Sequence, residues 1–418
     1  MSTVETASNL LKSKWVQLVL GVICMMSISS PQYVWALFTK PIMGQLGVSL
    51  TELQVTFSIL IVLQTFFSPF QGFLVEKFGP RLLLSVGTVL TGLSWVLSAN
   101  LTTVSNLYIT YGVLGGLGTG IVYIGVVGLM VRWFPNNRGF AVGMVAAGYG
   151  IGALLTTFPI ADSLASSGLQ GTLTFFGYVI GAVGLLAAQG IRVPHADRAQ
   201  TTSQVQAAAS GIAPKTMLKT PVFWLMFLMM SMMSTSGLMV ISQMGAFAKD
   251  FGITGTMVFG MAALPLALTI DRVTNGFTRP FFGWISDKIG REYTMTIAFG
   301  LEAVAMFVWV MTRSDPVMFV LMSGVVFFGW GEIFSLFPST LTDTFGQKHA
   351  TTNYGFLYMA QGVGSIISGP IAAYIHGATE SWLPVFAIMI ALDATAATLA
   401  FFILKPMRAK YIKSAVYS

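Results

Sequence analysis

The chain has 418 residues, of which 55% are hydrophobic and 9% charged, with 44 glycines and a formal net charge of +7. So apolar a composition, with a mean hydropathy of +0.76, excludes a soluble globular fold and points to a polytopic helical membrane protein whose solvent is the lipid bilayer. A single cysteine excludes an internal disulfide, three scattered histidines give no metal-ligand spacing, and no basic stripe with interleaved aromatics marks nucleic acid as a partner.

A bilayer core takes roughly 20 apolar residues per helix. Runs of that kind predict helices near 15–37, 52–75, 82–99, 105–132, 139–160, 170–191, 222–247, 258–284, 293–312, 317–338, 353–375 and 382–404. Residues 1–14 are polar and carry no cleavage pattern, so helix one is expected to act as its own insertion signal. The loops are short except after helix six, where "HADRAQTTSQVQAAASG" reads as a polar linker. The expected architecture is an all-α membrane protein of twelve transmembrane helices in two six-helix halves. Its parts are an N-terminal bundle over 1–191, a cytoplasmic linker over 192–219, a C-terminal bundle over 220–404 and a tail over 405–418.

Positive charge tests this count independently, because Lys and Arg gather in cytoplasmic loops. With both termini inside, the loop cations from Lys12 and Lys14 through Arg192 and Arg198 to Lys413 fall on the cytoplasmic side. Only Lys40, Lys249 and Arg313 fall outside. Two arginines remain, Arg272 and Arg279, both within helix eight. The net charge therefore reports membrane orientation.

After helix two the chain reads "GFLVEKFGPR" from Gly72, and after helix eight it reads "GWISDKIGRE" from Gly283. The shared pattern G-[FW]-x-x-[ED]-K-[FI]-G recurs at an offset of about 211 positions, which marks a duplicated six-helix unit. Glu76 and Arg81 in the first copy, and Asp287 and Arg291 in the second, are expected to form gating contacts at helix ends that exist in one conformation and break in the other. Helix four, "GVLGGLGTGIVYIGVVG", and helix five, "GMVAAGYGIGA", are rich in glycine. A phosphate loop would need a preceding strand and a following Lys-Ser/Thr pair, so close helix packing is the better account.

An ionised side chain at the bilayer centre costs at least about 2.5–3.5 kcal/mol. Arg279 lies eight residues before Asp287, about 12 Å along a helix and well inside the hydrocarbon region. Asn275 is one turn earlier on the same face, and Pro280 loosens the backbone beside it. A guanidinium in a cavity holds a planar carboxylate by two parallel hydrogen bonds, so Arg279 is expected to bind substrate. Arg272 beside Asp271, Glu302 in helix nine and Asp393 in helix twelve are expected to fix packing. Glu332, in "FFGWGEIFSLFPST", is left open between a structural hydrogen bond and coupling. No paired nucleophile and base appears, so neither an enzyme nor a cofactor or metal site is expected.

The segments "NGFTRPFFGWISDKIGR", "RWFPNNRGFAVGMVAAGYGIG", "FFGWGEIFSLFPST" and "TTNYGFLYMAQGVGSI" resemble the oxalate/formate antiporter family. That family is a branch of the major facilitator superfamily related to the monocarboxylate transporters, and the resemblance runs over nearly the whole chain. It implies a carrier whose two halves rock around a site near the bilayer midplane. In the antiporter a helix-eight arginine and a helix-eleven lysine bind the two carboxylates of oxalate between aromatic walls. By resemblance Arg279 is that arginine. Trp330 and Phe334 match the helix-ten walls, with Phe334 where the antiporter has a tyrosine, and Tyr358 matches an aromatic of helix eleven. Tyr123, Tyr149, Gln32 and Tyr33 match the contributions of the first half.

Gln361 stands at the place of the helix-eleven lysine. With one firm cation a dianion would keep an unmatched charge in a low-dielectric site, which favours a monocarboxylate such as lactate, pyruvate or formate. Gln361 can still hydrogen-bond a hydroxyl, carbonyl or protonated carboxyl. Monocarboxylate transporters commonly carry an aspartate four residues before the helix-eight arginine. Here that residue is Asn275, which cannot titrate, so Asp271 and Glu332 are the coupling candidates. The expected function is proton-coupled transport of small organic anions across a cell inner membrane, with carboxylate exchange as the alternative. A carboxylate sensor is a distant third, since only the short stretch 405–418 follows the last helix.

Overall fold

Prolines and glycines stand at several of the places where the spans bend. The computed structural model describes residues 12–194, 211–253 and 255–416, so the middle of the linker, with Arg198, lies outside the described residues. The first span, α1, runs as Lys14–Ser27, Ser30–Tyr33 and Trp35–Leu46, broken where Pro31 removes a backbone donor. The second, α2, opens in a capping box at Ser49 and Glu52. It runs Leu50–Thr65 and Ser68–Phe78 with a 49° bend ahead of Pro69. Next come α3, Pro80–Ser98, and α4, Val104–Trp133, whose Tyr108–Leu114 turn is wound as a π-helix. Arg138–Gly190 is one helical run of 53 residues kinked at Gly168, where φ is 68°, and it gives α5 (138–167) and α6 (169–190).

The second half begins with α7, Pro221–Asp250. A two-stranded hairpin follows, β1 Met257–Val258 and β2 Met261–Ala262, turning through left-handed Phe259 and Gly260. This hairpin takes the residues predicted to open helix eight, so α8 spans Ala263–Ile289 rather than 258–284. Then come α9, Arg291–Met311; α10, Pro316–Trp330 and Ile333–Phe345; α11, Ala350–Thr379; and α12, Leu383–Leu399, continuing to Lys405–Val416.

Among the described residues nine helices are long and apolar enough to cross a membrane, and the bent α2 makes a tenth. Arg138–Gly190 supplies two of the predicted spans. The remaining span is α8, which has the length but fails on polarity because it carries Asp271, Arg272 and Arg279. That failure is the sequence anomaly seen from the structural side.

Two compact units divide the chain. Unit 1 holds Met1–Pro135, Met144–Pro214 and Gly346–Met359; unit 2 holds Asn136–Gly143, Lys215–Phe345 and Ala360–Ser418. Each therefore includes the first turns of one helix from the opposite half of the sequence, α11 in unit 1 and α5 in unit 2. The core of unit 1 is built on Trp35, Phe38, Trp95 and Tyr111, and α4 fits against α3 because Gly118 has no Cβ to strike Gly87 O. In unit 2 the corresponding aromatic core is Phe247, Trp309 and Phe386.

Candidate functional site

Unit 2 contains the anomalous arginine. Arg279 sits at mid-length of α8 and is 2% exposed. Its Nη2 donates to Asn275 Oδ1 at 2.7 Å, one turn back along the helix. Its guanidinium lies over the ring of Phe334, 4.6 Å from the centroid, a placement in which the ring's negative face meets the cation. Trp330 stands edge-on to Phe334 at 5.8 Å and donates its indole N–H to Met233 O of α7 at 2.8 Å. Gly331 follows, where α10 breaks, and the break brings the backbone of α10 against Asn275 and Thr278. The structure thus brings together Arg279, Asn275, Phe334 and Trp330. Gln361 belongs to the same unit; it is 6% exposed, and its Oε1 accepts no hydrogen bond among the described residues.

The first-half candidates gather in unit 1. Tyr123 stacks on Tyr358 at 4.8 Å and meets Tyr149 edge-on at 5.5 Å. Tyr149 donates its hydroxyl to Gln32 Oε1 at 2.6 Å and packs against Tyr33 at 5.3 Å. Tyr33 is the exposed member. Two residues that sequence reasoning missed belong here: Gln64 of α2, within 3.4 Å of the Tyr149 hydroxyl and 3.3 Å of the Tyr358 hydroxyl, and Tyr354, one turn before Tyr358.

The intramembrane carboxyls fall into two sets. Asp271 is buried on α8 beside Ser323. Its chain neighbour Arg272 is exposed, and no ion pair joins the two. Residues adjacent on a helix point about 100° apart, so Asp271 is turned inward while Arg272 faces outward. Glu302, Glu332 and Asp393 are all fully buried in unit 2 and act on one another electrostatically, with Arg279 acting on Glu332. Asp393 accepts from Ser236 at 3.0 Å, and Glu302 lies against Gly329. Glu332 occupies the break in α10, where its backbone carbonyl caps the next segment by accepting from Ser335 and Leu336.

The repeated loop motif has a common geometry. In unit 1, Glu76 accepts from Thr352 N at 3.0 Å and from the Thr352 hydroxyl at 2.7 Å, at the start of α11, with Arg132 3.6 Å away. In unit 2, Asp287 accepts from Gly139 N at 2.9 Å and Phe140 N at 2.8 Å, at the start of α5, and pairs with Arg291 at 2.7 Å. Each acid therefore satisfies orphan amides at the positive end of a helix. The motif glycine explains the rest. A Cβ on Gly72 would lie 2.7 Å from Thr351 O, and one on Gly283 would lie 2.1 Å from Gly139 O, so glycine permits the approach that places the acid one turn later.

The two loop arginines differ. Arg291 also binds Asp343 at 2.8 Å, together with Arg138, whereas Arg81 donates to Gln189 at 3.0 Å on an exposed surface. Pro80 shifts Arg81 by one position relative to the second copy. Asp343 and Arg138 were not singled out from the sequence, because nothing local ties residues so far apart.

Because the Gly283 contact is with backbone that cannot rotate away, Gly283→Ala is expected to cost about 2 kcal/mol. The cost is read as a lower melting temperature of the detergent-solubilised protein. Gly300→Ala on α9 meets nothing within 4 Å and serves as the neutral control.

Comparison with known proteins agrees with this arrangement. The Major Facilitator Superfamily matches over residues 18–270 and 266–415. The oxalate:formate antiporter of Oxalobacter formigenes is 34% identical over 403 residues, covering 96% of this chain and 94% of its own. Monocarboxylate transporter 14 of Mus musculus is 35% identical over a shorter stretch of 121 residues, 28% of this chain and 24% of its own. Among solved structures, the proton:xylose symporter XylE superposes with a TM-score of 0.71 at 14% identity, covering 94% of this chain and 96% of that one, a likeness of fold. The chain belongs to the major facilitator superfamily and, within it, to the family of the oxalate:formate antiporter. It is a multi-pass membrane transporter.

Proposed function

We propose that this protein carries small monocarboxylates across a cell inner membrane by alternating access, with both termini cytoplasmic and the carboxylate bound by Arg279. The observation that carries the reading is the placement of that arginine. It is buried at mid-length of a transmembrane helix, oriented by Asn275 and seated on Phe334. A guanidinium offers donors in a rigid fork matched to a carboxylate, and a ligand's negative charge offsets the cost of keeping the cation in the bilayer. Similarity to an oxalate:formate antiporter and to a monocarboxylate transporter supports the ligand class. Gln361 supports one carboxylate rather than two, because it adds no second cation.

Coupling to protons is the preferred mode, with Glu332 and Asp271 as the carriers, since Glu332 is buried within electrostatic reach of Arg279. A substrate carboxylate that occupies Arg279 withdraws the cation from Glu332, and a proton on Glu332 compensates. Exchange of one carboxylate for another is the second reading, favoured by the 34% identity to an antiporter. Proteoliposomes separate the two. Uptake of labelled lactate or formate into empty vesicles under an acid-outside gradient is the expected result, and Glu332→Gln is expected to lose at least about tenfold of gradient-driven uptake. Uptake confined to vesicles preloaded with unlabelled carboxylate would establish exchange instead. No uptake under either condition would sink the carboxylate reading.

A further inference from the structure

The start of α3 and the end of α6 enclose a cavity of about 480 Å³ that the carboxylate reading does not use. Its polar lining is Arg81, Ser85, Gln189 and Arg192, all within unit 1, and no acid lines it. Gln189 gathers the two arginines. Its side-chain Oε1 accepts from Arg81 Nη2 at 3.0 Å and Nε at 3.3 Å, and its backbone oxygen accepts from Arg192 Nη1 at 2.8 Å. Neighbours hold this frame in place. Gln189 Nε2 donates to Ser85 Oγ at 2.8 Å, Arg192 N donates to Gln17 Oε1 at 2.8 Å, and Arg192 O accepts from Trp133 Nε1 at 2.8 Å. Neither arginine forms an ion pair among the described residues. Arg291, the counterpart of Arg81 in the second copy of the loop motif, instead pairs with Asp287 and Asp343.

Two guanidiniums that converge on one neutral residue repel each other, and an anion between them replaces that repulsion with attraction. The N-terminus of α3 lies at the edge of the cavity, at Pro80, without a side-chain cap, so the positive end of its dipole adds to the same field. The surrounding surface selects the anion. Phe78, Leu82 and Val193 line the cavity and are exposed. Further along, Val86 of α3 and Val183 and Leu186 of α6 are exposed as well, on helices that come together where Gly92 meets Gly177 and Gly181. Such a face accommodates an acyl chain and offers nothing to a free phosphate. We propose that this cavity is a headgroup site for an anionic phospholipid, with Arg81 and Arg192 on its phosphate and its acyl chains along α3 and α6. Arginine presents paired N–H donors that match phosphate oxygens, and a basic pocket between helices on the cytoplasmic side suits an anionic headgroup. The cytoplasmic leaflet follows from the orientation proposed above, whereas the site itself is independent of what the protein carries.

Native mass spectrometry of the full chain in mild detergent tests this, with phosphatidylglycerol, phosphatidylcholine of the same acyl chains, and glycerol 3-phosphate as the probes. The wild type is expected to bind phosphatidylglycerol about tenfold more tightly than phosphatidylcholine. Arg81→Gln and Arg192→Gln should each weaken phosphatidylglycerol by about fivefold, and the double variant should bind the two lipids alike to within about twofold. Lys410→Gln with Lys413→Gln removes the same charge from exposed positions on the extension of α12 and should keep the wild-type preference. Melting temperatures confirm that each variant folds, and the thermal shift given by phosphatidylglycerol supplies a second measure of the same preference. A wild type that binds both lipids alike, an arginine double variant that keeps the preference, or an equal loss in the lysine control would each overturn the assignment. Displacement of phosphatidylglycerol by an equal concentration of glycerol 3-phosphate would show that the phosphate suffices without acyl chains, and would overturn the lipid as the ligand. No transport measurement enters, so these outcomes stand apart from the fate of the carboxylate reading.

Discussion

Arg279→Ala is expected to lower carboxylate affinity by at least about 100-fold, because removing one partner of a buried, doubly hydrogen-bonded charge pair costs about 3 kcal/mol or more. Arg279→Lys keeps the charge but not the fork, so it should recover part of the loss and remain about tenfold weaker than the wild type. Fold damage does not account for either loss. Truncation strands Asn275 Oδ1, now held at 2.7 Å, yet it also removes a desolvated cation, and the two effects oppose each other. The melting temperature without ligand should accordingly move by only about 5 °C. The measurements are uptake into proteoliposomes and the thermal shift given by lactate. Transport retained in Arg279→Ala would refute the assignment.

The spans were legible because the bilayer imposes them, and each predicted helix corresponds to a helical segment. The breaks were less so. Pro69 and Pro280 follow the same rule of a missing donor, but α2 bends by 49° while α8 stays one helix through Pro280, a difference set by packing rather than by local sequence. Arg279 stood out because a charge in an apolar run violates a strong physical expectation. Asn275 and Phe334 could be attached to it, one by helical spacing and the other by resemblance. The carboxyls of Glu302, Glu332 and Asp393 were visible singly; that they act on one another was not, since they come from α9, α10 and α12. Gln64 was overlooked for another reason. A glutamine in a membrane helix breaks no rule strongly, and its place between the Tyr149 and Tyr358 hydroxyls depends on helices distant from it in sequence.

The loop motif makes the same point about physical reasons. Read alone, Glu76 and Asp287 are acids beside basic residues. In the structure both accept hydrogen bonds from backbone amides, of α11 and α5 respectively, and the glycine four residues earlier is what lets those helices come close. One turn of helix separates the glycine from the acid, so approach and hydrogen bonding lie on one face. The repeat therefore preserves a pair of roles, and its arginine, tied to Asp343 in one copy and to Gln189 in the other, is the part free to differ.

Gln361→Lys addresses charge selection directly. Gln361 is 6% exposed and its Oε1 accepts no hydrogen bond among the described residues, so an ammonium placed there enters a site with little water. Without ligand the variant should lose stability, since a desolvated cation lacking a partner costs several kcal/mol. A dianion reverses the balance: a second charge pair at about 4 Å contributes about 4 kcal/mol at the effective dielectric of a partly buried site, before desolvation is subtracted. The net expectation is a preference for oxalate over lactate that rises by about tenfold to a hundredfold, and a melting temperature that oxalate restores and lactate does not. Competition of the two acids for labelled uptake measures the first, and thermal shifts in detergent measure the second. If the variant melts lower but keeps the wild-type preference, residue 361 contributes to packing, and the charge of the substrate is set by other groups around Arg279.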